Sequence, residues 1–299
     1  MIKIKPIKDL KTYSIRVHKK PEPRSHNPAL PSLFFNGIFI GMTGSGKSYS
    51  LITMLKMYER EGIYDEDDMK CEIRYILVSP TSRSDANAVF QLLKIEENDL
   101  IDNFSFEALE NKVNELIEEK QSITDWNLYI KAIKKMRKHE DIESMTEEEL
   151  ELLDKFGMED DGSNLRRKPT KIYFLIFDDM ISTPLFSRSS KNKLNNLIIL
   201  CRHHSICCLL TAQHLKSVPP LIRSNCKVYC VFKSNNFKKV LENIYEEVSG
   251  LISPDEFEQM YMKSTEEAHD HLTIIIDNKM PKQYRFRKNW NDYFQFSDK

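Results

Sequence analysis

Gly41-Met42-Thr43-Gly44-Ser45-Gly46-Lys47-Ser48 has the G-x-x-x-x-G-K-[ST] spacing of a phosphate-binding loop. Glycines let such a turn close and bring backbone N–H groups against phosphate oxygens. The Lys47 ammonium reaches the β and γ phosphates, and the Ser48 hydroxyl can ligate Mg²⁺. All eight residues therefore read as ligands of a nucleoside triphosphate with Mg²⁺. A second constellation follows the apolar run 171–177, where Asp178 and Asp179 stand side by side. Asp178 is placed to hold Mg²⁺ directly or through water, and Asp179 is the candidate general base for the attacking water. Asp179 is one methylene shorter than the glutamate that hydrolases of this type more often carry there. Gln213 follows another apolar run, 206–212, and its amide is suited to sense the γ-phosphate or orient the water. Arg202 precedes that run and Arg223 lies beyond it. A guanidinium near the γ-phosphate stabilises transition-state charge and is often supplied in trans.

Positioning these groups requires strands that end, and helices that begin, at one edge. Residues 34–40 form an apolar stretch ahead of the loop, and Leu51, Met54, Leu55 and Tyr58 behind it have the spacing of a half-buried helix. Residues 73–78 predict a second strand with a polar exit through Ser79-Pro80-Thr81-Ser82-Arg83, and a helix through Val89, Phe90, Leu92 and Leu93 follows. The run 171–177, apolar on both faces, suits a central parallel strand. Leu194, Leu197, Ile198 and Cys201 predict a helix before the 206–212 strand. A strand at 228–232 precedes a helix through Val240, Leu241, Ile244 and Val248 that stops at Gly250. Ser253-Pro254-Asp255-Glu256 caps another helix. Residues 272–276 and 284–287 read as a closing hairpin. Strands alternating with helices imply an α/β fold with a mainly parallel central sheet.

Two segments depart from that pattern in charge. Residues 1–32 read as a basic, proline-rich arm; the first 30 hold eight Lys/Arg against Asp9 and Glu22, a net of +6. Such an arm suits either phosphate-backbone or subunit contact, or a solvated tail. Residues 33–299 form the folded domain, with a charged helical insertion at about 105–168. Leu109, Val113, Leu116 and Ile117 make one stripe of the insertion, and Leu128, Ile130 and Ile133 another. A capping box at Thr146 opens a third helix that Gly157 can end. The six cysteines include no C-x-x-C pair and read as reduced core residues. Cys201, His203, His204 and Cys207 are the one zinc candidate, at a spacing that matches no familiar site. No run approaches the roughly 18 apolar residues of a membrane span, and no basic-then-apolar leader opens the chain, so a soluble, intracellular protein is expected.

The segment from Cys201 through Arg202 to Gln213, then Val218-Pro219-Pro220-Leu221-Ile222-Arg223-Ser224-Asn225, resembles the FtsK/HerA superfamily of ring-forming DNA-translocating ATPases. The likeness is closest to the poxvirus-type genome-packaging ATPases of large DNA viruses. It includes the phosphate loop, Tyr75–Thr81, Phe177-Asp178-Asp179 and the final hairpin, and covers most of residues 33–290 in order. The resemblance implies a RecA-like sheet with the Gln213 strand between the phosphate-loop strand and the Asp178 strand. It also implies a homo-oligomeric ring, pentameric or hexameric, with ATP at subunit interfaces, double-stranded DNA in the channel and a capsid or portal partner. The setting would be the host cytoplasm, at the viral assembly site, or the virion. By position Arg202 matches the finger that reaches a neighbour's γ-phosphate, with Arg223 the second choice. Lys216, Lys227, Lys238 and Lys239 are candidate channel groups. A nucleotide or small-molecule kinase, a DNA-translocating ATPase of a mobile element, and a nucleotide-gated scaffold are the alternative readings.

Overall fold

The computed structural model describes residues 22–80, 90–102, 105–137, 145–157, 165–180, 183–186 and 191–294. Among the described residues nine strands form one sheet in the order β3-β2-β4-β5-β1-β6-β7-β8-β9. They are β1 Asn36–Ile40, β2 Glu72–Val78, β3 Leu100–Ile101, β4 Lys171–Phe177, β5 Ile206–Ala212, β6 Cys226–Phe232, β7 His271–Ile275, β8 Phe286–Lys288 and β9 Asp292–Tyr293. From β3 to β6 every pairing is parallel, and β7, β8 and β9 add antiparallel strands. This is a RecA-like P-loop architecture with a C-terminal hairpin, and β5 lies between β1 and β4 as the family likeness implies.

Every residue of β1 and β5 is buried, as central parallel strands covered on both faces require. Successive residues point to opposite layers. Ile38 and Ile40 join the layer under α4 (Lys191–His203), α6 (Phe237–Val248) and α7 (Pro254–Ser264), whereas Phe39 joins Leu51, Met54, Leu55 and Tyr58 of α1 (Lys47–Glu61). The six cysteines are free and buried. Among the described residues no cluster of three or more potential metal ligands occurs, so the candidate at 201–207 is not assembled.

The insertion differs from its expected segmentation. Its two stripes belong to one 32-residue helix, α2 Phe106–Arg137, because no glycine or proline interrupts 106–137. At about 1.5 Å per residue it is roughly 48 Å long, so its two ends find different partners. Leu109, Val113 and Leu116 pack into the main core, while Tyr129, Ile130 and Ile133 pack on Leu152 and Leu153 of α3 (Glu147–Phe156). The capping box at Thr146 and the stop at Gly157 are as expected. The helix expected near 89–93 is a single 3-10 turn over the described residues 90–93; Val89, like Thr81, Ser82 and Arg83, lies outside the described residues.

The described part of the arm is packed on the body. Tyr58 donates its hydroxyl to the Pro31 carbonyl at 2.6 Å, Ser32 N–H donates to Asp277 Oδ2 at 3.2 Å, and Arg24 bridges to Tyr64. The lysines of residues 1–21 lie outside the described residues.

Candidate active site

The P-loop leaves the carboxyl end of β1 and turns directly into α1. Gly44 (φ +78°) and Gly46 (φ +98°) take the left-handed conformation, in which a side chain is strained. Gly41 is needed for a different reason: a Cβ there would stand 2.8 Å from Cβ of Phe232 on β6. The loop is thereby pressed onto the sheet, and Gly41 N–H donates to the Ala212 carbonyl of β5 at 3.0 Å. Among the described residues Ser45 Oγ, buried inside the cradle, has no hydrogen-bond partner, and a phosphate oxygen would satisfy it. Lys47 is 8% exposed and donates to the Met42 carbonyl at 2.9 Å. Burial lowers its pKa, and the nearby Asp179 and Asp178 carboxylates oppose that shift.

Asp178 is also buried, and burial raises its pKa, against hydrogen bonds from Thr211 and Ser48 that lower it. Its Oδ1 accepts from Ser48 Oγ at 3.1 Å and from Thr211 Oγ1 at 2.9 Å. A serine hydroxyl and a carboxylate meeting beside a phosphate cradle form a hard oxygen donor set that fits Mg²⁺. Thr211 Oγ1 also accepts from Asp179 N–H at 3.0 Å. Asp179 has φ +53°, so the backbone turns sharply after Asp178 and leaves the Asp179 side chain exposed while its neighbour is buried. Gln213 is exposed at the same edge, and its Nε2 donates to Thr43 Oγ1 of the P-loop at 3.4 Å.

The structure thus brings together Gly41–Ser48, Asp178, Asp179 and Gln213. It does not bring either arginine to them within one chain. Arg202 ends α4 just before β5, so a seven-residue strand of about 23 Å separates it from the edge that carries Gln213. Arg223, on α5 (Pro220–Ser224), precedes β6 at that same amino-terminal edge. Arg202 donates to Asn225 Oδ1 at 3.3 Å, and Arg223 pairs with Glu247 at 2.8 Å. The candidate channel lysines are dispersed: Lys216 follows β5 at the carboxyl edge, Lys227 opens β6 at the other, and Lys238 and Lys239 lie on α6. A cavity of about 440 Å³ beside Lys120, Asn127, Arg167 and Lys171 also lies at the amino-terminal edge, away from the P-loop.

Sequence reasoning missed Thr211, although it is the lone hydroxyl in the apolar run 206–212. It also missed the buried contact under the P-loop helix. There Ser50 Oγ lies 3.0 Å from His271 Nε2, and Trp290 Nε1 donates to Ser50 Oγ at 3.0 Å.

No family model matches the chain. It is 34% identical over 77 residues to uncharacterized protein 075L of Invertebrate iridescent virus 6, a stretch that is 26% of this chain and 29% of that protein. The chain therefore spans under a third of the length of that relative. Among solved structures it is similar to the genome packaging NTPase B204 of Sulfolobus turreted icosahedral virus 2 in complex with ATP-γS. The TM-score is 0.44 and the identity 12%, over 85% of this chain and 96% of that one. It is also similar to the cytoplasmic domain of the Thermomonospora curvata type VII secretion ATPase EccC, at a TM-score of 0.41 and 14% identity, over 88% of this chain and 24% of that one. No helix among the described residues is long and apolar enough to cross a membrane. The strand order and the loop geometry, rather than these likenesses, carry the RecA-like assignment.

Proposed function

We propose that the chain is an ATP-driven motor that translocates double-stranded DNA and packages a viral genome into a capsid, acting as a homo-oligomeric ring. The observation that carries the reading is the convergence of Lys47, Ser48, Asp178, Asp179 and Gln213 at one sheet edge, with the Gln213 strand inserted between the other two. A kinase site has no need of that inserted strand.

In this reading the P-loop amides and Lys47 bind the β and γ phosphates. Ser48 and Asp178 would hold Mg²⁺, which neutralises charge on the phosphate oxygens when bound. Asp179, exposed beside the crevice, accepts the proton of the attacking water, and Gln213 orients that water from a point tied to the P-loop through Thr43. Arg202 or Arg223 of a neighbouring subunit supplies a guanidinium that, among the described residues, this chain does not bring to its own crevice. The DNA-translocating and packaging part of the reading is supported by the FtsK/HerA-like segment 201–225, and contact with capsid or portal belongs to it as well.

The test is ATP hydrolysis with and without double-stranded DNA across a range of salt. Hydrolysis should rise with DNA, and the stimulation should weaken steeply with salt because backbone contacts release counterions. Lys47→Ala should abolish turnover with an unchanged circular dichroism spectrum. Phosphate transfer to a metabolite by a monomer would establish the kinase alternative instead, and nucleotide binding without turnover the scaffold.

A further inference from the structure

The two sides of the P-loop are chemically unlike. On the β5 side Thr43 meets Gln213, and Ser48 meets Asp178. Metal and water groups therefore gather there, and a bound triphosphate would set its γ end toward them. The opposite end, carrying the nucleoside, would run over β6 and β7. β7 is antiparallel to β6, with His271 paired to Phe232, so the loop 265–270 entering β7 arrives at the edge where the P-loop lies. The His269 side chain of that loop lies beside the P-loop. His269 Cβ and Nδ1 lie 3.4 and 3.5 Å from where a Cβ on Gly46 would stand. Gly46 is the residue from which α1 starts, so the imidazole sits beside the amides that would hold phosphate.

Its loop is held at both ends. Lys233, just past β6, donates to the Glu266 carbonyl at 3.3 Å. Asp270 accepts from Asn289 Nδ2 at 2.8 Å and pairs with Lys288 at 2.9 Å, while Asn289 Oδ1 accepts from His271 N–H at 3.0 Å. Between these anchors His269 is exposed, at φ +69°. A flat ring on an anchored loop, open to solvent on the β6–β7 side of the phosphate cradle, is suited to pack on a heterocycle. Histidine is among the side chains on which unstacked bases stack.

We infer that His269 forms the nucleoside subsite of this P-loop, its imidazole packing on the purine of the bound triphosphate. The inference rests on the nucleotide-site reading above and names what recognises the non-phosphate half of the ligand. Inorganic tripolyphosphate should occupy the cradle without using His269; ATP should use both. Asparagine tolerates a positive φ, so His269→Asn removes the ring with little backbone cost.

The experiment compares binding of ATP and of inorganic tripolyphosphate to the wild-type chain and to His269→Asn by calorimetry. ATP should bind the variant roughly tenfold more weakly, within the range that base stacking supplies, with tripolyphosphate unchanged. His269→Gly, equally suited to that φ, should repeat the result. Unchanged ATP affinity in both variants, or an equal loss of ATP and tripolyphosphate, would overturn the subsite. A wild-type chain that binds neither probe would overturn the nucleotide-site reading as well, so the two failures are distinguishable.

Discussion

A single hydroxyl arranges both carboxylates of the crevice. Thr211 Oγ1 donates to Asp178 Oδ1 and accepts from Asp179 N–H, so it fixes the buried acid and the turn that exposes the next one. Deleting a hydrogen bond to a buried charged group costs about 1.5–3 kcal/mol. Thr211→Val, nearly the same shape, should therefore reduce kcat for ATP roughly tenfold to a hundredfold and raise the Mg²⁺ concentration needed for half-maximal rate. Burial already raises the Asp178 pKa, and the Thr211 hydrogen bond opposes it. Without that bond the carboxyl ionises at higher pH, so the acid limb of the rate profile should move upward. Thr211→Ser should restore the wild-type profile in the same steady-state assay; a Val variant with wild-type pH and Mg²⁺ profiles would refute the positioning role.

At the scale of elements, the C-terminal strands brace the helix that presents the P-loop. His271 on β7 and Trp290 beyond β8 both contact Ser50, three residues past Lys47, and His271 also stacks on Phe232 of β6 with ring centroids 4.7 Å apart. Burial drives the His271 pKa down to about 4, with the adjacent Asp270 opposing. Because the folded value lies below the unfolded one, the unfolded chain binds the proton more readily. This contribution to stability is fully present above the unfolded value near 6.5 and is lost as pH falls toward 4. It is on the order of 3 kcal/mol. Thermal melts should therefore show Tm falling over that window, and His271→Gln, though less stable at neutral pH, should show a shallower fall. Equal slopes in the two proteins would place the acid sensitivity elsewhere.

The insertion is held at its foot in a comparable way. Arg74 of β2 pairs with Asp99, Glu115 and Glu119, and Glu119 also receives Lys171 and the Tyr173 hydroxyl. Asp99 is almost fully buried and pairs with Lys112 of α2 as well as with Arg74. The foot of α2 is thereby fastened to β2 and to β4, the latter paired directly with the Gln213 strand.

For the whole molecule, one edge of the sheet carries the P-loop, Asp178, Asp179 and Gln213, and the other carries Arg202 and Arg223. Asn225 lies two residues from Arg223 and accepts from Arg202, so both arginines belong to one surface. In the proposed ring a head-to-tail contact whose rotation closes would bring that surface to a neighbour's P-loop edge. Arg202→Ala subunits mixed with Lys47→Ala subunits should then regain hydrolysis that neither has alone, because some interfaces pair an intact loop with an intact arginine. Measured across mixing ratios, the absence of any recovery would refute a role for Arg202 in trans, and the same mixture with Arg223→Ala tests the second candidate.

What the sequence determined alone was local. The phosphate loop, the Asp178-Asp179 pair, the capping boxes at Thr146 and Ser253 and the buried strands were legible because each depends on residue types a few positions apart. The placement of the Gln213 strand came from family likeness, and the sheet order agrees with it. Tertiary structure alone decided that Thr211 reaches Asp178 across 33 positions and that His271 reaches Ser50 across 221. It also decided that the two arginines stand across the sheet from the loop. Periodicity reports which face of an element is buried; the partner of a buried polar group is set by strand order and register, which bring distant segments within hydrogen-bonding distance.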